Sequence, residues 1–166
     1  MDRSDLLEWA HHEHEHLGKL FEDLKDTFSK LESDGFDSAR QRDEALNTAL
    51  DDLEHALDDM LEHFSEEEEV FFVEIEQRFP EFEPQIEALI ATHEQLCSYN
   101  RTLMRRLGAE REVLFAEIKQ TREVLDALVD LLHNHNQQEQ EVFVKALQRL
   151  SDEERDALLA TKQQLG

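Results

Sequence analysis

Helix breakers are nearly missing from this chain, which carries four glycines and two prolines in 166 residues. So few cannot build a flexible linker or a proline-rich tract, and the length suits one core, so a single domain over residues 1–166 is expected. The one cysteine, Cys97, excludes an internal disulfide. No apolar run approaches the roughly 20 residues that a membrane span needs. Met1-Asp-Arg-Ser-Asp5 has neither the basic start nor the apolar stretch of a signal peptide. A cytoplasmic protein without a membrane partner is expected from these absences. Basic side chains are scarce as well: 17 Lys and Arg stand against 41 Asp and Glu, for a net charge of −24. With no Lys/Arg cluster to offset that field, nucleic acid is a poor partner. The acidic excess reads as solvated helix faces ahead of an adaptation to high salt.

What is present is helical periodicity. Leu7, Ala10, His14, Leu17, Phe21, Leu24, Phe28 and Leu31 advance by threes and fours, the row that one face of a helix presents to its neighbours. Asp34-Gly35 ends it. Ser38 then caps a second helix with an inward row of Leu46, Leu50, Leu53, Leu57, Met60, Phe64, Glu67 and Phe71, and His63 stands on the same face. Phe79 to Pro84 breaks the pattern, and Pro84 opens a third helix carrying Ile86, Leu89, Ile90, His93, Leu96, Asn100, Leu103 and Leu107. A fourth presents Leu125, Leu128, Leu132, His135, Glu139, Val142 and Ala146, and a short tail helix is capped by Ser151-Asp-Glu-Glu154. The expected fold class is all-α: an up-down-up-down four-helix bundle with a short C-terminal helix.

The third and fourth helices raise a problem of level. If Gly108 is the turn, His93 lies about 15 residues before it and His135 about 27 after, and at about 1.5 Å per residue the two would not meet. Either the third helix runs through Gly108 and reverses near Phe115, or the segment after Gly108 forms a separate turn outside the bundle.

Polar residues interrupt the apolar rows in a repeated order. His63 and Glu67 on the second helix, and His135 and Glu139 on the fourth, are i, i+4 pairs, each preceded by a helix with one inward histidine, His14 or His93. Spacing alone is weak, since His11/Glu15 and His55/Asp59 share it, but His55 and Asp59 fall on a solvated face with Asp51, Asp52 and Glu62. An inward carboxylate costs several kcal/mol unless partnered, and no Lys or Arg occupies the inward rows. A cation resolves this. Imidazole and carboxylate without thiolate select a borderline to hard transition ion, with iron, manganese and zinc the candidates, and six ligands exceed one tetrahedral zinc, so two ions are implied. Two histidines per ion with two bridging glutamates leave room for an exogenous ligand. His11 and Cys97, one turn from proposed ligands, are possible additional ones, although a buried apolar role is the default for Cys97. His12, His16 and His133 read as surface residues, Trp9 and Tyr99 as core packing, and Glu66, Glu68 and Glu69 as a solvated run in which one member could orient a ligand histidine.

His63-Phe-Ser-Glu-Glu67-Glu-Glu-Val-Phe-Phe72 and His135-Asn-Gln-Gln-Glu139-Gln-Glu-Val-Phe143 resemble the HxxxE blocks of the hemerythrin-like, HHE cation-binding family. Glu13-His14-Glu-His-Leu17 and Thr92-His93-Glu-Gln-Leu96 look like its first- and third-helix motifs, so the likeness covers essentially the whole chain. The resemblance implies a hemerythrin-like domain holding a non-haem di-iron centre, oxo- or hydroxo-bridged, that binds O₂ or a related small oxidant. The chain departs from the oxygen-carrying hemerythrins, which use five histidines: His93 is followed four on by Cys97 and preceded four earlier by Leu89, and Gln140 stands where they carry Asp. The four-histidine, two-glutamate set is instead similar to hemerythrin-like proteins linked to iron–sulfur cluster repair and nitric oxide stress.

Three functions are thereby expected in order. The first is binding of O₂, NO or peroxide at open iron positions for sensing, detoxification or delivery. The second is enzymatic, with peroxide or NO reduced at the centre or iron donated to damaged clusters. The third is a metal-free acidic helical scaffold. The partner in the first two is a small diatomic or peroxide ligand, and no protein partner can be read from the chain.

Overall fold

Each apolar row becomes a helix in the computed structural model, which describes residues 3–165. The side chains of Leu7 and Trp9 lie outside the described residues. The elements are α1 (Arg3–Ser33), α2 (Ala39–Glu66), a π-helical segment (Glu67–Phe72), α3 (Val73–Arg78), a 3₁₀ turn (Pro80–Phe82), α4 (Glu83–Leu107), α5 (Arg111–Ala116), α6 (Ile118–Arg149) and α7 (Asp152–Leu165), with no strand among the described residues. No helix among them is long and apolar enough to cross a membrane.

The four long helices close into a ring in which α1 packs on α2 and α6, and α4 on α2 and α6. Short turns set the alternation. Asp34 takes the left-handed backbone conformation (φ 53°), and Gly35 N–H donates to the Lys30 carbonyl at 2.8 Å, closing α1 with a six-to-one bond. Ser38, in extended conformation, accepts from Gln41 N–H at 3.2 Å and starts α2. Ser151 and Glu154 form a reciprocal capping box for α7. The tail is tied to α3 by an ion pair between Arg78 and Glu154, and the end of α6 to the 3₁₀ turn by one between Arg149 and Glu81.

The level problem at Gly108 has a definite answer. α4 stops at Leu107, the short α5 forms a separate turn with Leu114 buried in the core, and α6 starts at Ile118. His93 then lies 14 residues from the end of its helix and His135 17 from the start of its own, which brings them level. Leu50 and Leu57 are half-buried rather than inward, because the buried stripe of α2 runs through Ala49, Leu53, Ala56 and Met60.

The core is cut in two. One apolar cluster holds Leu17, Phe28, Leu53, Phe64, Leu96 and Leu132 among others, and a second holds Ala10, Val70, Leu89, Val142 and Phe143. On every long helix the boundary falls at a polar residue: between Ala10 and Leu17 at His14, between Phe64 and Val70 at Glu67, between Leu89 and Leu96 at His93, and between Leu132 and Val142 at His135 and Glu139. Hydrophobic burial above and below holds this polar layer at the centre of the bundle.

Candidate metal centre

The polar layer is built from one residue of α1, His63 of α2, Glu67 at the first position of the π segment, His93 of α4, and two residues of α6. His63, Glu67, His93, His135 and Glu139 are buried, and the His14 side chain is 12% exposed. Among the described residues no Lys or Arg is buried with them.

Two groups form, and they share both carboxylates. His14, His63, Glu67 and Glu139 make one, and Glu67, His93, His135 and Glu139 the other, with the offered ligand atoms of each group all within 4.8 Å of one another. Glu139 gathers the imidazoles: its Oε1 lies 3.1 Å from His14 Nε2, and its Oε2 lies 3.0 Å from His135 Nε2 and 3.7 Å from His93 Nε2. Glu67 touches His63 and lies 3.9 Å from His93 Nε2. The Nε2 atoms of His93 and His135 approach to 3.1 Å.

Such contacts do not satisfy the carboxylates. Both oxygens of Glu67 and of Glu139 are buried without an aligned hydrogen-bond donor, an arrangement that costs free energy unless something else occupies the point on which these atoms converge. Without a cation the site manages with protons. Burial, the Glu139 charge, and then Glu68 and Glu66, push the Glu67 carboxyl well above the usual carboxylate range. Burial also pushes Glu139 up, but its polar contacts with the Glu67 carboxyl and with His135, His14 and His93 overcome that and hold it well below. Burial lowers the His63 imidazole from 6.5 to about 3, and lowers His135 as well, so both rings are neutral with a lone pair to offer at neutral pH. Two imidazoles per group, two shared carboxylates and no thiolate fit a pair of adjacent metal ions.

Surroundings orient the rings. His93 is stacked between two phenyl groups, Phe64 at 3.8 Å and 5° and Phe72 at 5.7 Å and 15° between centroids and planes. Its Nδ1 faces Glu68 Oε1 at 3.4 Å, so Glu68 is the member of the acidic run that reaches a site histidine. The sequence leaves that member open, and it gives no sign of the phenyl pair, because the rows place Phe64 and Phe72 on faces without showing what they meet.

His11 and Cys97 belong to neither group. The His11 side chain is 71% exposed and its Nε2 lies 3.2 Å from Glu15, while Cys97 is buried in the apolar cluster, where burial pushes its thiol up. His12, His16, His55 and His133 are exposed, and His55 meets the Asp51 carbonyl rather than Asp59. Tyr99 packs against the first apolar cluster.

The family described as the hemerythrin HHE cation-binding domain matches residues 5–147, which span all six polar-layer residues. No curated protein and no solved structure matches the chain.

Proposed function

Because the chain belongs to the hemerythrin HHE cation-binding domain family, we propose that its polar layer holds two non-haem irons and binds O₂ or a related small oxidant, NO or peroxide, at open iron positions. One observation carries this reading: two buried glutamates are shared between two histidine pairs, with all four carboxylate oxygens lacking an aligned donor. His14 and His63 would hold one ion and His93 and His135 the other, with Glu67 and Glu139, which belong to both groups, contributing to each. Four protein donors per group would fall short of the six that iron accepts, which would leave room for a small exogenous ligand. Iron would supply the reversible redox chemistry that imidazole and carboxylate lack; zinc ranks behind it because it has none, and manganese because it binds such donors more weakly.

This chain's own residues set the conditions around the ions. His63 and His135 offer neutral nitrogen donors, Glu67 gives up its proton when a cation arrives, and Phe64 and Phe72 fix the plane of His93 while excluding water from it. Purified protein should contain about two irons per chain and show ferric absorption that azide or NO perturbs. A colourless protein that holds no iron after aerobic and anaerobic preparation would remove the reading.

The second reading, catalytic reduction of peroxide or NO or donation of iron to damaged clusters, is favoured by Cys97 and Leu89 standing one turn on either side of His93, where a fifth histidine would complete an oxygen carrier. Turnover separates it from binding: consumption of peroxide or NO above the rate of free iron supports it, and wild-type protein no faster than free iron refutes it. A cytoplasmic setting belongs to both readings.

A further inference from the structure

A ring of four helices has a groove between each neighbouring pair, and three of these reach the polar layer by chemically different routes. Between α1 and α2, Glu13, Asp59, Glu62 and Glu66 surround His63 in a space of about 150 Å³. Between α2 and α4, Ser65, Glu68, Cys97 and Arg101 lead to His93. Between α1 and α6, a groove of about 350 Å³ is lined by Gly18, Phe21, Leu132 and Asn136 and reaches His14.

The third route differs in three ways. Its walls are apolar near the bottom, where Phe21, Val129 and Leu132 line it, whereas the first is walled by carboxylates that favour a cation over a neutral molecule. The second ends on a ring against which both Phe64 and Phe72 stack. In the third, Gly18 leaves its side-chain volume empty, since a Cβ there would meet nothing within 4 Å. Asn136, the neighbour of His135, lines the groove with a buried Oδ1 that has no hydrogen-bond partner. That oxygen accepts from a ligand that carries a proton, such as hydrogen peroxide, and the amide turned about its last bond donates its N–H to one that carries none, so Asn136 offers a polar contact to a ligand held beside His14. The rim carries Glu15 and Glu22 beside His11 and His133, with no Lys or Arg, so no permanent positive charge draws an anion.

We propose that the α1/α6 groove is the approach path and pocket for a small uncharged ligand of the centre, kept open by Gly18 and given its polar contact by Asn136. The proposal rests on the di-metal reading above and deepens it. The ligand class is a neutral diatomic or hydrogen peroxide, reaching the ion on the His14/His63 side. This is a pocket with apolar walls at Phe21, Val129 and Leu132, a buried polar group at Asn136 and a polar rim.

NO binding to the iron-loaded ferrous chain, followed by stopped flow, tests it. Gly18→Leu gains helix propensity and has space for its side chain, so it should fold and keep its iron, while NO association slows by about tenfold. Asn136→Ala should leave association unchanged and speed dissociation by about fivefold, the equivalent of one hydrogen bond. Ser65→Leu, which fills the α2/α4 groove, should change neither. A second measurement needs no metal: dissolved O₂ should relax the Leu132 methyl resonances of the metal-free protein well beyond those of Leu128, and Gly18→Leu should abolish the difference. Wild-type association in iron-replete Gly18→Leu, slowed association in Ser65→Leu, or equal relaxation of Leu132 and Leu128 overturns the groove. A wild-type chain that takes up no iron sinks the di-metal reading instead, and the relaxation comparison then still decides the groove.

Discussion

The two HxxxE copies share a spacing and little else. His135 and Glu139 sit within a continuous α-helix of 32 residues, whereas Glu67 opens a π-helical stretch at the end of α2. Glu139 faces three imidazoles and is held low; Glu67 has Glu66 and Glu68 beside it and Glu139 opposite, and is pushed high. In the metal-free centre, therefore, Glu139 is the anion and Glu67 the proton carrier. A repeat in sequence has become a division of labour, and tertiary neighbours rather than spacing assign the roles. The π turn, common where function imposes on an α-helix, places the movable member of the pair at a joint.

That contrast can be broken most directly by amide substitution. In metal-free protein Glu139→Gln should cost about 3 kcal/mol, because it strips the imidazoles of their buried partner, whereas Glu67→Gln mimics the protonated state and should cost under about 1 kcal/mol. Both should drop iron content below half of wild type. Equal melting losses for the two metal-free variants would show that the copies are equivalent, and a metal-independent scaffold would tolerate both.

Acidity gives the next largest effect. Lowered values at His63 and His135 mean that the unfolded chain binds more protons below pH 6.5, so metal-free stability is lost as pH falls from 6.5 toward about 3, and the depressed Glu139 adds to this loss. Glu67 has the opposite sign: its contribution is present below 4.5 and is lost as pH rises through its raised value. Between 4.5 and 6.5 the two histidines outweigh the one glutamate, so thermal melts should rise through that window, peak near 6.5 and decline on both sides. Glu67→Gln should remove the alkaline decline alone. Metal loading at neutral pH should likewise release about one proton from Glu67, measurable with a dye in weak buffer.

Two smaller changes sharpen the comparison. Ser38→Ala, far from the centre, should cost about 1 kcal/mol through the lost α2 cap and leave iron content unchanged. Glu68→Gln keeps an acceptor for His93 Nδ1 and should shift stability by less than about 0.5 kcal/mol while moving the visible spectrum of the loaded protein. An unmoved spectrum would mean that Glu68 does not orient the ring.

Much of this architecture is legible in the residues themselves. Four apolar rows with polar intruders give the bundle and its central layer, because helical periodicity is a local property. Ser38, Pro84 and Ser151-Asp-Glu-Glu154 mark helix starts for the same reason. What periodicity leaves open is decided across helices. Which histidines pair, which carboxylate keeps the proton, and which acidic neighbour meets His93 depend on the angle and height at which rows meet, as does the phenyl pair around that ring. The π segment is hidden because a row of alternating threes and fours continues through it.

The α5 turn has a mechanical consequence. It works as a length gauge anchored by Leu114 in the core: residues added or removed in the loop between Gly108 and Glu110 change the size of a bend ahead of that anchor without turning the last long helix about its axis. An insertion between Ile118 and His135 would instead swing the imidazole by about 100°. Variation in length can accumulate in that bend while the alignment of donors on four separate helices is preserved.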